Sequence, residues 1–147
     1  MYRIMRRINV VSRCQGVFLA ERLKEMGLGT CHHTYLLHVA KKPGISQEEL
    51  AREVCVNKSS VARGLANLES QGYVERRSSE QDKRVLQVYP TQKTMEILPQ
   101  IRAALTEWNG YLTADFTEEE MAQFEQVLNR VVERAKCYME EGENVFR

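Results

Sequence analysis

The sequence predicts a mainly α-helical chain with a small β-wing, and three observations carry that reading. Apolar residues recur at helical spacing through both ends of the 147-residue chain, two short capped helices lie at its centre, and a basic hairpin pattern follows them. The length and a hydrophobic content of 43% fit one globular domain, or one domain with an oligomerising extension.

In the first central helix Ser46 takes the N-cap with Glu49 three residues on, and Ile45 and Leu50 bracket them as a hydrophobic staple. The second opens at Asn57, staples Val56 to Val61, and repeats its apolar stripe at Val61, Leu65 and Leu68 before Gly72 ends it. The connector Cys55-Val56-Asn57 is short enough for a helix-turn-helix, whose second helix enters the major groove. Lys58, Ser59, Ser60, Arg63 and Asn67 occupy the remaining faces of that helix, all short or cationic groups able to hydrogen-bond phosphates and base edges. An ordinary antiparallel helix pair would also be polar outside, so the hairpin decides. Val74, Leu86 and Val88 are the expected inward positions of two strands, joined by the polar loop from Ser78 to Arg84. A helix-turn-helix followed by such a hairpin is a winged helix.

The run from Ile45 to Thr91, ISQEELAREVCVNKSSVARGLANLESQGYVERRSSEQDKRVLQVYPT, resembles the DNA-binding domain of the MarR (multiple antibiotic resistance regulator) family of bacterial transcription factors. The specific part is G-Y-V-E-R-R followed by D-K-R, with Asp82 and Arg84 at the family's D-x-R wing positions. The resemblance implies a wing arginine in the minor groove, an aspartate holding the wing in shape, dimerisation through the N- and C-terminal helices, and a small effector bound between the dimerisation region and the DNA-binding lobe. The chain departs from the pattern in placing Pro90, Thr91 and Thr94 where the family often has leucine, threonine and a later glycine. The expected function is a sequence-specific transcriptional regulator, a repressor binding a palindromic operator in double-stranded DNA as a homodimer and modulated by an unidentified small molecule. Arg84 is expected to carry wing affinity, assisted by Lys83 and Arg76.

Outside the lobe, Ile4, Ile8, Val11 and Phe18 mark an N-terminal helix, with Val10, Cys14 and Val17 widening its stripe. Its charges up to Lys24 are Arg3, Arg6, Arg7, Arg13, Arg22 and Lys24 against Glu21 alone, whereas the tail after Thr113 is acidic. A break at Met26 to Gly29 precedes a second helix, capped by Thr30 and running through Tyr35, Leu36 and Val39 to the turn at Lys41 to Gly44. Beyond the wing Thr91 caps a long helix with a seam at Met95, Leu98, Ile101, Leu105, Trp108 and Leu112, bent near Pro99. Phe116, Thr117, Glu120 and Met121 form a capping box and staple for the last helix, with its seam at Met121, Phe124, Leu128, Val131, Ala135 and Tyr138. The expected division is an N-terminal dimerisation helix in 1–28, the DNA-binding lobe in 29–90 and C-terminal dimerisation helices in 91–147. The seams could pack within one chain. A two-fold dimer through Ile8, Val11, Phe18, Leu105, Trp108, Leu112, Phe124, Leu128 and Val131 covers them and also supplies two recognition helices.

Other classes find less support. A net charge of +1 says nothing of nucleic acid, and only the distribution of charge can. Neither a membrane-length apolar run nor a signal-peptide core occurs, so a cytoplasmic location is expected. Cys31, His32, His33 and His38 lack the spacing of a metal site, and no metal or cofactor is assigned. Cys14, Cys31, Cys55 and Cys137 have no short pairing and are expected to be reduced, Cys14 as a small buried apolar thiol. Catalytic motifs are absent, which argues against an enzyme. The alternatives are a winged-helix protein-interaction module and a regulator sensing oxidants through Cys14.

Overall fold

The computed structural model describes residues 3–29 and 31–142. In chain order they form α1 (Ile4–Arg22), a 3-10 turn (Lys24–Met26), α2 (His32–Lys41), β1 (Ile45–Ser46), α3 (Gln47–Glu53), α4 (Lys58–Ser70), β2 (Val74–Ser78), β3 (Leu86–Pro90), α5 (Gln92–Thr113) and α6 (Glu118–Glu141). The chain separates into two compact units, Met1–Trp108 and Asn109–Arg147. The cap expected at Thr30 lies outside the described residues.

Local chemistry starts the central helices. Ser46 Oγ accepts the Glu49 amide at 3.0 Å and Asn57 Oδ1 accepts the Ser60 amide at 2.8 Å, each satisfying a donor that the helix cannot. The Glu49 carboxylate pairs with Lys42 rather than with its own N-cap. Between the helices Cys55 adopts φ +53°, and bonds from Cys55 N to Arg52 O and from Val56 N to Ala51 O close α3 at a position that usually takes glycine. Gly72, at φ +79°, does the same for α4, with Tyr73 N bonded to Leu68 O.

The sheet is antiparallel, in the order β1-β3-β2. Its first strand was not expected: Ile45 pairs with Val88, so the staple residue is also a strand. In the hairpin Val74 pairs with Pro90, Arg76 with Val88 and Ser78 with Leu86. Leu86 shares a face with buried Val88, yet it is 36% exposed, which corrects its expected inward position. The alternation places it on the inner face, but the hairpin has already run past the body of the lobe.

The core of the first unit gathers Tyr35, Leu36, Val39, Ile45, Leu50, Val61, Leu65, Leu68, Val74 and Val88 with Leu19 and Leu23 of α1 and Ile101 and Ala104 of α5. Phe18 stacks on Trp108 at 5.1 Å, and Arg22 of α1 pairs with Glu107 of α5. The inward line of α5 is Thr94, Leu98, Ile101, Ala104 and Trp108. Met95 is 47% exposed, contrary to the expected seam, because Thr94 takes the first inward place and spends its hydroxyl on the Tyr73 carbonyl at 2.5 Å. In the second unit Thr117 and Glu120 form the complete capping box of α6, and no residue of that helix is buried.

Candidate nucleic-acid interface

Recognition helix α4 is held against α2 at a point where no side chain fits. A Cβ on Gly64 would lie 2.7 Å from Cε2 of buried Tyr35, so glycine lets the two helices approach. With Val61, Leu65 and Leu68 buried, the same helix turns Lys58, Ser59, Arg63 and Asn67 to solvent and leaves Ser60 half-buried. Lys58 Nζ donates to Glu48 Oε1 at 2.7 Å, and that bond holds the Glu48 carboxyl below its ordinary range. Both side chains are well exposed, so a phosphate can take Lys58 from Glu48 at small cost. Arg63 donates to Ser60 Oγ at 3.3 Å, one turn earlier on the same helix.

The wing tip is closed by its own side chains. Ser79, buried, donates its amide to Val85 O at 2.8 Å and accepts the Gln81 amide on Oγ at 3.2 Å, while Val85 N bonds to Asp82 O at 2.9 Å. Asp82 Oδ1 accepts the Arg84 amide at 3.0 Å and Arg84 Nε at 3.2 Å, bonds that hold the Asp82 carboxyl below its usual range. The Arg84 side chain is nonetheless 91% exposed, and Lys83 beside it is exposed.

Arg76 is differently placed from what its charge suggests. Its guanidinium lies against Glu69 of α4 and Gln47 of α3, with the side chain only 21% exposed. The neighbouring Arg77, which the sequence reading passed over, faces outward, pairs with Glu75 at 2.6 Å and sits over the Tyr89 ring at 4.7 Å. Strand alternation from Val74 contains the signal: positions 75 and 77 point out and 76 points in.

The histidines serve local structure. His32 Nδ1 accepts the Gly29 amide at 2.9 Å, with burial lowering its pKa, and His38 Nδ1 is 2.9 Å from Thr34 O. Among the described residues no group of three or more His, Cys, Asp or Glu converges as a metal site. Cys14 is exposed, which corrects the expected buried thiol: the apolar face of α1 around it is uncovered in the single chain.

The sequence profile of the MarR family matches residues 26–85, the span holding α2, the helix-turn-helix and most of the wing. A solved structure of MarR is 30% identical, with 96% of this chain and 98% of that one covered and a TM-score of 0.84. The chain belongs to the MarR family. A MarR family transcriptional regulator from Listeria monocytogenes, complexed with 26mer DNA, is 26% identical over 97% of both chains with a TM-score of 0.88. The uncharacterised HTH-type transcriptional regulator YybA of Bacillus subtilis (strain 168) is 29% identical over 95% of each chain. Membership makes this protein a winged-helix transcription regulator and not an enzyme. Among its described residues no helix is long and apolar enough to cross a membrane.

Proposed function

We propose that this MarR-family protein is a homodimeric repressor that binds a palindromic operator with two recognition helices and two wings and is modulated by a small-molecule effector. The observation that carries the reading is the pairing, within one unit, of an exposed polar face on α4 with an exposed arginine on a wing braced by Asp82. Lys58 and Ser59, at the N-terminal end of α4, suit phosphates, whereas Ser60, Arg63 and Asn67 lie farther along the face that meets base edges. Lys83 and Arg84 follow the minor groove, and Arg77 adds an outward cation. The 26mer on the Listeria relative supports a two-half-site operator, since half-sites about 10 base pairs apart fit within it.

Dimerisation is supported by apolar side chains left uncovered in the single chain, Met5 and Val17 on α1 and Phe124 and Val127 on α6, between 57% and 66% exposed. Burying each such side chain is favourable by about 1 to 3 kcal/mol, which a second copy supplies. Ile8, Val11, Leu112, Leu128 and Val131 are half-buried or exposed and remain in the proposed interface, whereas Phe18, Leu105 and Trp108 already pack within their own unit. Repression follows if the operator overlaps a promoter, and the effector would act by changing the separation of the two recognition helices.

The test is selection of duplexes from a randomised pool by the full chain, followed by mobility shifts across a salt series. A recovered palindromic sequence, bound with a steep salt dependence that flattens in Arg84→Ala, is the expected outcome. Binding indifferent to sequence would instead favour a protein-interaction module.

A further inference from the structure

We infer that Arg76 is a positioning residue for DNA recognition, which together with Glu69 and Gln47 locks the wing to the recognition helix at a fixed angle. The inference rests on the proposed DNA-binding reading of the wing and adds a role that no cation count assigns. Arg76 N donates to Glu69 Oε1 at 2.9 Å, Arg76 Nε and a terminal nitrogen donate to Glu69 Oε2 at 3.0 and 2.9 Å, and the other terminal nitrogen donates to Gln47 Oε1 at 3.3 Å. One side chain therefore ties β2 to the last turn of α4 and to the first residue of α3. Donation by one residue to both carboxylate oxygens, its backbone amide to Oε1 and two guanidinium nitrogens to Oε2, fixes an angle as well as a distance, which a single point contact cannot do.

Glu69 itself is informative. A carboxylate in the last turn of a helix faces the negative end of the helix dipole, an unfavourable place for it. Here the Arg76 bonds offset that cost and hold the Glu69 carboxyl below its ordinary range. The position of the pair along the hairpin matters too. Arg76 is paired with Val88, the last fully buried residue on that face, and the next inward pair, Ser78 with Leu86, has left the body. At about 3.3 Å per residue the strands and loop beyond Arg76 make an arm of about 10 Å, so a tilt of about 10° at its root moves Arg84 by about 2 Å. A hydrogen bond from Arg84 does not survive such a displacement. The wing reaches its groove only if its root is held, and the structure holds it through Arg76.

The inference separates from its rivals by sign. Were Arg76 a phosphate contact masked by Glu69, Glu69→Gln would free a cation, remove a negative charge and tighten binding. As a positioning pair, the same substitution weakens binding. The experiment uses the full chain and a duplex recovered by selection from a randomised pool, with mobility shifts over a salt series and a thermal melt of each variant. Glu69→Gln and Arg76→Lys are each expected to lose about three- to tenfold in affinity and to flatten the salt slope as Arg84→Ala does, since each keeps part of the bonding at the wing root but lets Arg84 leave its groove. Arg84→Ala, expected to weaken the unmodified chain, should have much less effect in either background, because a wing already out of place has little left to lose. Equal or tighter binding by Glu69→Gln, full affinity in Arg76→Lys, or an Arg84→Ala effect of the same size in every background overturns the inference. An Arg84→Ala effect absent even from the unmodified chain overturns the wing reading beneath it instead. If Glu69→Gln does not fold, the size of the Arg84→Ala effect in the Arg76→Lys background carries the test.

Discussion

Gly64→Ala sets two opposing effects against each other at the seat of the recognition helix. Alanine is favoured over glycine in a helix interior by about 1 kcal/mol, so on propensity alone the substitution stabilises α4. The new Cβ, however, would sit 2.7 Å from Cε2 and 3.4 Å from Cδ2 of Tyr35, which is 3% exposed and locked in the core. Restoring ordinary carbon contacts of about 3.5 to 4.0 Å requires the helix or the ring to move by about 1 Å. Overpacking of this kind costs about 1 to 3 kcal/mol, so the net expectation is a loss of about 1 kcal/mol. The melting temperature should then fall by about 2 to 4 °C. Because the strain pushes α4 off α2, affinity for a selected duplex should fall as well. Tyr35→Leu removes the ring atoms in question, so adding it to Gly64→Ala should recover part of both losses despite being destabilising alone. Circular-dichroism melts and mobility shifts read the four variants of this cycle. A higher melting temperature in Gly64→Ala, with Tyr35 intact, would show that the contact is loose and that helix propensity governs the site.

Val127→Asp and Phe124→Asp should give folded monomers by sedimentation that no longer bind a palindromic duplex tightly, since both side chains are 57% exposed and serve no core of their own unit; a charge at Leu105, which packs on the core, would confuse unfolding with dissociation. Folding lowers the carboxyl pKa of Asp82 and of Glu69, through the hydrogen bonds from Arg84 and Arg76, so the stabilisation from both is complete above the ordinary carboxylate range and fades as pH falls through the lowered folded values. Asp82→Asn should therefore be less stable than the unmodified chain near neutral pH, with the difference closing in acid; a gap that persists to low pH would separate wing stability from this carboxylate. Thr94→Val keeps the shape of a fully buried residue while deleting its bond to Tyr73 O, and should cost about 1 kcal/mol of stability by denaturant titration.

What was legible in the sequence was what neighbours in the chain decide. The caps at Ser46, Asn57 and Thr117 each lie within three residues, so spacing alone discloses them, whereas the bracing of the wing by Asp82 beside Arg84 was implied by the family resemblance. Features that depend on where the lobe ends were not legible. Two-residue β1 has no period to read, and Leu86 alternates correctly yet falls beyond the body. Arg76 counts as a cation in any tally of charge, whereas only the packing of β2 on α4 turns it to Glu69. Likewise a threonine was passed over for Met95 as the first inward residue of α5, since no local rule shows that the Tyr73 carbonyl, separated from Thr94 by 21 positions in the chain, awaits its hydroxyl.

That carbonyl explains how the ends of the recognition helix differ. Tyr73 O accepts the Thr91 amide at 3.1 Å, Thr91 Oγ1 at 3.0 Å and Thr94 Oγ1 at 2.5 Å, tying the exit of α4 to the entry of α5. Lys93 Nζ donates to Gln71 O at 2.7 Å and lies over the Tyr73 ring, while Tyr73 Oη donates to Met26 O at 2.7 Å and Gln71 Nε2 to Gly27 O at 3.2 Å. The opposite end of α4 has the Asn57 cap and the exposed Lys58 to Glu48 pair. A helix gripped at its C-terminal end turns about that end, and the 13 residues of α4 make a lever of about 20 Å. A rotation of about 6° at the Tyr73 knot thus carries the Lys58 end through about 2 Å, enough to break hydrogen bonds in a groove. The Thr91 and Thr94 hydroxyls, where the family often has threonine and a later glycine, strengthen the coupling between α5 and that pivot. Under the proposed function, an effector that shifted the start of α5 would therefore not need to touch the DNA-facing surface, and each tenfold change in affinity would ask of it only about 1.4 kcal/mol of preference between two settings of the pivot.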